Sequence, residues 1–390
     1  MAPRSIGASA GEFYCGMKRR RRHHHPRLRS ALYGLVVCAL SLLVVEGFSS
    51  ALVVGHSAWQ VLQPFDERVH TTHDAELGWT NIPNFVRPGM YGPNAGLSID
   101  GRGFRAVPSP PAAATPRLRV ICSGDSFTFG VGVGDADTWC HHLMSIDARI
   151  STTNMGQIGY GVDQAFLWYR RNASKVPHDV QVLAFVSADF DRMRSATFMS
   201  YGKPVLAIEN GNLLVRDGPV PYRSTAGVMR QRAGWALSTF RMAQVLNFLF
   251  RNPSGESVRA APESVADLRP VVAKIIETLR DLHARQHTTL VLAFLPMRTD
   301  FADERSATWR QAVREIAGSE IPFVDVVADL RTLPVEEVDP MFIGPGASKY
   351  GLVEGHYSRR GHAFVASVIH RAITEIDAVK ARLGDAAPSR

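Results

Sequence analysis

Short apolar runs alternate with helix-like patterns from residue 118 onward, and this alternation limits the folds open to the chain. Buried strands are predicted at 118–124, 180–187, 289–296 and 321–327, with a weaker one at 149–156. Helices are predicted at 136–147, 161–174, 263–286, 303–317 and 358–383. Strands that alternate with helices form parallel sheets covered on both faces. We therefore expect an α/β domain over 118–385, a three-layer, doubly wound parallel sheet.

Two segments interrupt this alternation. Residues 55–117 are rich in Pro, Gly and Asn and are predicted to form an extended lead-in that ends in a linker at 107–116. Within an insertion at 190–255, two apolar runs flank Asn210–Gly211, the strongest short signal for a β-hairpin. A helix is predicted after it at 234–251, and we expect the insertion to form a cap beside the site.

The amino-terminal region joins a basic segment to an apolar one. Seven Lys and Arg residues fall within Lys18–Arg29, and apolar runs follow at Ala31–Val45 and Phe48–Val54. About 20 apolar residues suffice to cross a bilayer, and basic flanks stay in the cytoplasm. The sequence predicts a cytoplasmic tail at 1–30 and a single-pass inner-membrane anchor at 31–54, with the remaining domain in the periplasm.

Glu46 keeps a second interpretation of this region open. A carboxyl group inside a membrane span is costly unless it lies near an interface or has a partner. Only the 15 residues Ala31–Val45 are free of charge, which also suits a cleaved signal peptide with a long basic start. Both interpretations export the rest of the chain.

The charge balance argues against nucleic acid as a partner. The whole chain has 44 Lys and Arg residues against 36 Asp and Glu. Residues 1–30 hold eight of the basic residues and one acid, so the remainder is nearly neutral. A nucleic-acid-binding domain would present a basic face. His23, His24 and His25 lie beside the arginines of the tail and are interpreted as solvated charge, not as metal ligands.

Cysteines are sparse for an exported chain. Cys15 and Cys38 fall in the tail and the span, which leaves Cys122 in a strand pattern and Cys140 in a helix pattern. No disulfide framework is implied. The last two are predicted to be separate, buried apolar side chains, with a bridge as the alternative.

A serine follows the first strand of the sheet domain in the stretch "ICSGDSFTFG". Ligands of doubly wound sheets bind beyond the carboxyl ends of the strands, and Ser126 falls at such an end. Backbone N–H groups that follow a strand and turn toward a helix can face a negative charge. Ser126 is therefore a candidate nucleophile. The alternative is an ordinary Gly-Asp-Ser turn.

A serine nucleophile needs a base, and His356 in "VEGHYSRRGH" is the best candidate. It precedes the last predicted helix, and Glu354 lies two residues before it. A carboxylate that binds one ring nitrogen fixes the tautomer and leaves the other nitrogen facing the serine. The alternative is a histidine that merely precedes a helix. His362, on that helix, is interpreted as a packing residue or a polar contact.

These two blocks resemble those of the SGNH/GDSL hydrolases, a family with a flavodoxin-like sheet. The resemblance covers residues 118–383 and includes "NMGQIGYGVDQ" at 154–164, similar to the family's Asn-x-Gly-x-x-Gly turn. The lead-in stretches "LGWTNIPNF" and "GRGFRA" and the anchor resemble a membrane-anchored bacterial envelope branch.

By this resemblance, Ser126 is the nucleophile, His356 the base and Glu354 the acid. The backbone N–H groups of Ser126 and Gly159 form the oxyanion hole, and Gly156 is a turn residue. The resemblance implies hydrolysis or transfer of an ester-linked acyl group on a carbohydrate, lipid or small ester, and it brings no metal or organic cofactor.

Two positions depart from the family pattern. The family's third block reads Gly-x-Asn-Asp, and its asparagine donates to the oxyanion, whereas "FVSADFDRM" places Ala188 there. Losing such a donor costs on the order of a hundred- to a thousand-fold in rate, unless Ser187 or a group of the insertion replaces it. Glu354 stands where the family usually has Asp, and acid-histidine pairs accept either residue.

Other polar and aromatic residues near these blocks have structural interpretations. Asp125 is expected to brace the serine turn, and Asp189 to bond backbone groups at a strand end in preference to pairing with Asp191 as an acid/base or metal site. Aromatic residues are expected either to line the pocket or to pack beneath the loops: Phe127, Phe129 and Tyr160.

Together these features predict a membrane-anchored esterase or O-acyltransferase that acts on an acylated carbohydrate or small ester. The alternative from another class is a catalytically weak carbohydrate-binding or scaffold protein of exopolysaccharide assembly, which Ala188 favours. A nucleotide-binding protein is disfavoured because "GVGVGDAD" follows the serine loop without an acidic residue in the required place.

Overall fold

The computed structural model describes residues 26–62, 68–108, 116–199, 201–216, 218–222, 265–348, 350 and 353–384. Most of the basic tail and the predicted helix at 234–251 lie outside these residues. The chain divides into two units, Met1–Gln60 and Val61–Arg390.

The amino-terminal unit contains one long helix. This helix, α1, begins at Pro26 and ends at Leu62. Its segment Arg29–Ala51 has a mean hydropathy of 2.1 and is long enough to cross a membrane. Membrane anchors and signal sequences share these properties, so the helix is a candidate span that overlaps the predicted anchor at 31–54.

The second unit holds the remaining elements of the described chain. Its strands are β1 Thr71–Asp74, β2 Gly78–Asn81, β3 Val86–Arg87, β4 Leu97–Ser98, β5 Leu118–Ser123, β6 Ile150–Asn154, β7 Val180–Phe185, β8 Thr197–Phe198, β9 Tyr201–Gly202, β10 Val205–Glu209, β11 Asn212–Arg216, β12 Thr289–Phe294 and β13 Phe323–Asp325. Its helices are α2 Ser126–Phe129, α3 Trp139–Ile146, α4 Val162–Asn172, α5 Ser187–Arg192, α6 Val265–Gln286, α7 Ala307–Ala317, α8 Val326–Leu330, α9 Val335–Val338, α10 Arg359–Thr374 and α11 Asp377–Leu383.

Five strands form one parallel sheet in the order β13-β12-β7-β5-β6. The chain adds β6 on one side of β5 and then β7 on the other, which makes the carboxyl edge of β5 and β7 a topological switch point. Ligands of open α/β sheets bind in the crevice at such a point. The predicted doubly wound α/β fold is confirmed.

Alternate side chains of the strands enter cores on opposite faces of the sheet. Along β12, Leu290, Leu292 and Phe294 pack in one core, which also contains residues of α4, α6 and α7. Val291, Ala293 and Leu295 pack in the other, with residues of α3 and α10. Burial on both faces explains why the strands read as continuous apolar runs.

The segment before the sheet differs from the predicted extended lead-in. It forms two antiparallel pairs, β1 with β2 and β3 with β4. Six of its apolar side chains are buried: Leu77, Trp79, Met90, Leu97, Ile99 and Phe104. The Trp79 Nε1–H donates to the Ile158 carbonyl at 2.9 Å, and the Tyr160 hydroxyl donates to the Trp79 carbonyl at 2.6 Å. The lead-in is therefore packed against the sheet domain.

The cysteine prediction is wrong. Cys122 at the end of β5 and Cys140 on α3 form a disulfide, with their Cα atoms 6.0 Å apart. Helix α3 packs beside β6 and carries Cys140 back toward β5, a contact that the separation of 18 residues in sequence did not reveal.

Two other elements can be compared with their predictions. The hairpin is confirmed, because β10 and β11 pair antiparallel around Asn210 and Gly211. The final helix, predicted as continuous, is broken into α10 and α11 because Ile376 takes an extended backbone with φ −73° and ψ 126°.

Candidate active site

Ser126 begins α2 directly beyond β5. The Asp125 carboxylate caps this helix by accepting the Phe127 N–H at 2.9 Å, which confirms its predicted bracing role. The serine side chain is only 4% exposed. The cap fixes the turn that presents the hydroxyl at the carboxyl edge of the sheet.

A buried guanidinium holds the rest of this loop. Arg105, from the lead-in stretch "GRGFRA", donates to the carbonyls of Phe129, Gly130 and Val133 and forms an ion pair with Asp135 at 3.1 Å. Its side chain is fully buried. Because these acceptors all belong to the segment after Ser126, Arg105 ties that segment to the lead-in. Sequence reasoning missed this role.

The loop after β6 lies against the serine loop. Asn154 bridges the two, since its Nδ2 donates to the Thr128 carbonyl at 2.9 Å and its Oδ1 accepts the Gly156 N–H at 2.9 Å. Gly159 has φ +76°, and a Cβ there would lie 2.5 Å from the Phe198 ring. Only glycine fits this position. Within the described residues, neither the Ser126 nor the Gly159 N–H donates a hydrogen bond.

The structure brings His356 to Ser126 across 230 residues of sequence. The His356 Nε2 and the Ser126 Oγ are 2.9 Å apart. The imidazole stacks on Phe127, with centroids 4.6 Å apart and planes 27° apart. The backbone around it is fixed by the His356 N–H on the Val353 carbonyl and by the Ile343 N–H on the His356 carbonyl. Nucleophile and base are within hydrogen-bonding distance.

Glu354 does not orient this histidine as predicted. Its side chain is exposed, and its carboxylate makes no hydrogen bond to His356 within the described chain. Gly355, with φ +80°, turns the backbone between the two residues. The buried Nδ1 has no hydrogen-bond partner within the described residues.

The environment of His356 favours the neutral imidazole. Burial is the largest effect and lowers the pKa of His356 below 6.5, and nearby Arg192 lowers it further. The Asp125 carboxylate and the backbone groups of Val353 and Glu354 raise the pKa without reversing this direction. A neutral imidazole is the form that can accept a proton from a serine.

A buried ionic cluster lies at the end of β7. The Asp189 Oδ2 accepts the Val186 N–H at 3.0 Å, which confirms its predicted structural role, and Arg192 pairs with both Asp189 and Asp125. Burial and the Asp125 charge raise the pKa of Asp189 well above its ordinary value. Ala188 carries no polar group toward this cluster. The Ser187 hydroxyl contacts the Met297 sulfur at 3.7 Å.

A cavity of about 110 Å³ opens beside the serine and the histidine. Its lining is mainly apolar apart from two arginines: Arg68, Tyr91, Ser126, Val131, Ile158, Gly159, Arg192, Phe198, Met199, Val353 and His356. Phe127, Phe129 and Tyr160 are not part of this wall, which agrees with the second of their two interpretations, packing beneath the loops. Phe129 stacks on His70 at 5.3 Å, and Tyr160 is fully buried. Sequence reasoning missed Arg68, Tyr91 and Phe198.

His362 has a polar contact, as one of its two interpretations proposed. Its Nδ1 accepts the Trp139 N–H at the start of α3, 3.1 Å away, and the ring is buried. Burial holds the pKa of His362 well below 6.5. This contact joins α10 to α3.

No protein-family model matches the sequence, and no curated protein matches it. Solved structures do match it. One is a lipolytic protein of the G-D-S-L family from Veillonella parvula, at 13% identity and a TM-score of 0.36, covering 66% of this chain and 99% of that one. Another is a lipase/acylhydrolase from Enterococcus faecalis, at 12% identity and a TM-score of 0.38, with 66% and 96% covered.

A third match is an acetylxylan esterase from Geobacillus stearothermophilus, crystallised as a catalytic mutant. It has 12% identity and a TM-score of 0.37, and the match covers 69% of this chain and 99% of that chain. With TM-scores below 0.5, these matches assign no function to this chain.

Proposed function

We propose that this chain is a serine esterase or O-acyltransferase of the SGNH type. The observation that supports it best is the 2.9 Å approach of the His356 Nε2 to the Ser126 Oγ at the switch point of the sheet. A hydroxyl and a neutral imidazole at this distance are a nucleophile and its general base. The N–H groups of Ser126 and Gly159, which donate no hydrogen bond within the described residues, suit a developing oxyanion.

The chemistry follows from these groups. The Ser126 hydroxyl gives its proton to the His356 Nε2 while its Oγ bonds to the acyl carbon, and the carbonyl π electrons move to the oxygen. The N–H groups of Ser126 and Gly159 stabilise that oxyanion. Its collapse breaks the ester bond, the leaving oxygen takes the proton from Nε2, and an acyl-enzyme remains. Water or a sugar hydroxyl then attacks through the same steps in reverse order.

The cavity favours a short acyl group. Ligand sites for drug-sized molecules span about 300–1,000 Å³, whereas this one is about 110 Å³. Apolar side chains such as Val131 and Ile158 suit a methyl or ethyl group. We expect acetyl esters to react faster than longer ones, with an O-acetylated envelope or exported polysaccharide as the physiological target.

The proposed location is the periplasm, with residues 31–54 as an inner-membrane anchor. A disulfide between Cys122 and Cys140 supports export, since such bonds persist in oxidising compartments. A reporter fused after residue 60 should be active only when it is exported, and the protein should resist carbonate extraction. Release of a shortened soluble form would favour the signal-peptide interpretation.

Fluorophosphonate labelling together with p-nitrophenyl acetate hydrolysis tests the reaction. Wild type should be labelled at Ser126, whereas Ser126→Ala and His356→Ala should each lose nearly all turnover because the pair acts as a unit. Ser145→Ala, at an exposed serine, is the matched control and should keep wild-type activity. Butyrate and octanoate esters should react more slowly than acetate.

The alternative function is a carbohydrate-binding or scaffold protein that keeps the fold. Ala188 favours it because a donor is missing there, and so does a histidine without a carboxylate partner. A wild type that is neither labelled nor active in hydrolysis or acyl transfer to a sugar acceptor would refute the enzyme proposal in favour of this one.

A further inference from the structure

The donor missing at Ala188 raises the question of which group could occupy its place. Ser187 is the nearest alternative in sequence, but its hydroxyl contacts the Met297 sulfur and does not line the cavity. Arg192 lies four residues beyond Ala188, at the last position of α5. Residues four apart share one face of a helix. A long side chain at 192 can therefore reach the space beside 188.

The contacts of Arg192 place its guanidinium between the two loops that supply the N–H groups. Its Nη1 donates to the Tyr160 carbonyl, one residue after Gly159, at 2.9 Å. The same atom donates to the Asp125 Oδ2 at 3.2 Å, and that oxygen is 3.3 Å from the Ser126 Oγ. One carboxylate oxygen thus separates the nucleophile from the guanidinium.

The guanidinium also reaches the reaction cavity. Arg192 lines it together with Ser126, Gly159 and His356, although its side chain is only 16% exposed. Phe198 covers both Gly159 and Arg192, with its ring centre 5.1 Å from the Arg192 Cζ. The Nη1 group is engaged by the carbonyl and the two carboxylates, whereas Nη2 makes no hydrogen bond to a described residue.

We propose that the Arg192 guanidinium is a third oxyanion donor that replaces the amide absent at position 188. This inference rests on the proposed esterase function. Arg192 forms no covalent bond and keeps its proton. It donates an N–H to the negative oxygen of the tetrahedral intermediate while Asp125 and Asp189 hold it in place. The planar fork of arginine has five donors, so it can bind the carboxylates and the oxyanion together.

Steady-state kinetics of the full-length protein with p-nitrophenyl acetate test this role. Arg192→Gln should lower kcat by about 100- to 1,000-fold, the usual effect of losing one oxyanion donor. KM should change by less than about threefold, because the interaction strengthens only in the transition state. Arg192→Lys, which keeps the charge but lacks the fork, should lie between wild type and Arg192→Gln. Arg194→Gln, two residues away in a pair with Asp267, is the control.

A second substitution separates donation from a purely structural role. In the wild type, Ala188→Asn should change kcat by less than about threefold because the place is already filled. In the Arg192→Gln background, the same substitution should recover at least about tenfold in kcat. A guanidinium that only clamps the loops would not be replaced by an amide at 188.

The outcomes can be told apart from failure of the proposed function. Equal kcat for Arg192→Gln and wild type overturns the donor role. A loss of kcat that Ala188→Asn cannot recover, accompanied by a lower unfolding temperature, also overturns it and leaves Arg192 as a loop clamp. A wild type without hydrolysis, acyl transfer to a sugar acceptor or fluorophosphonate labelling refutes the esterase itself.

Discussion

The loop that carries Ser126 and the loop that carries His356 are held in different ways. The serine loop is fixed by buried hydrogen bonds from distant segments, chiefly Arg105 and Asn154. The histidine loop depends on its own backbone and on stacking against Phe127, and no carboxylate binds its imidazole in the described chain. Ser126 is thus positioned by buried side-chain hydrogen bonds from other segments, whereas His356 is positioned by packing and backbone geometry.

Replacing the buried Arg105 should destabilise the loop that carries Ser126 more than any other substitution considered. Arg105→Met would remove the donor of the Phe129 and Val133 carbonyls, whereas the Gly130 carbonyl keeps the Val133 N–H and Asp135 keeps the Ser98 N–H. Each buried group left unsatisfied costs about 1–3 kcal/mol. We expect the free energy of unfolding to fall by about 3 kcal/mol or more, with turnover falling as the loop loosens. Urea unfolding followed by circular dichroism measures the first quantity.

Arg102→Met is the matched control for that experiment. Arg102 is 53% exposed and pairs with Asp100 at the surface, so its loss should cost less than about 1 kcal/mol. Equal destabilisation by the two substitutions would mean that Arg105 does not support the serine loop.

The pH dependence of kcat/KM examines the histidine side. Burial and Arg192 lower the pKa of His356, while Asp125 and the backbone of Val353 and Glu354 oppose them. The imidazole acts as a base only when it is neutral. A lower pKa keeps it neutral at lower pH, so the enzyme should remain active at lower pH. The acidic limb of kcat/KM should have its midpoint below 6.5, the ordinary value for histidine. A midpoint above that value would point to a carboxylate partner.

Glu354→Gln should have the smallest effect. In a catalytic triad, removing the charge of the acid lowers kcat by about 10⁴-fold, but this carboxylate is exposed and unbonded to His356. Because Glu354 lacks the bond that a triad acid makes to its histidine, we expect kcat to change by less than about threefold. If steady-state assays instead gave a kcat lower by a hundredfold or more, the Glu354 carboxylate would have to reach the His356 ring during turnover.

Features that depend on burial of apolar side chains could be predicted from the sequence, whereas contacts between distant residues could not. The strands β5, β7 and β12 could be predicted because burial on both faces requires continuous apolar runs. His356 could be proposed as the base for Ser126 from its position before the last helix, and the resemblance of the two blocks strengthened that pairing. Their contact at 2.9 Å joins positions 230 residues apart, which composition alone could not link. Glu354 was misjudged because closeness in sequence does not fix where a side chain points after a glycine turn.

The missed residues act on backbone groups or through distant contacts. Arg105 and Arg192 bind carbonyls and carboxylates of other loops, and a single arginine outside any periodic pattern gives no sign of such partners. The disulfide was missed for a related reason, because the distance between Cys122 and Cys140 depends on how α3 packs.

That disulfide has a consequence for how the site matures. It closes a covalent ring around the segment from Cys122 to Cys140, and Ser126 lies inside that ring. In a reducing cytoplasm the same chain would have this segment tethered only by its weaker contacts. With the proposed export, oxidation would be an assembly step for the serine loop, and a protease cut within the ring would leave both pieces of that loop joined.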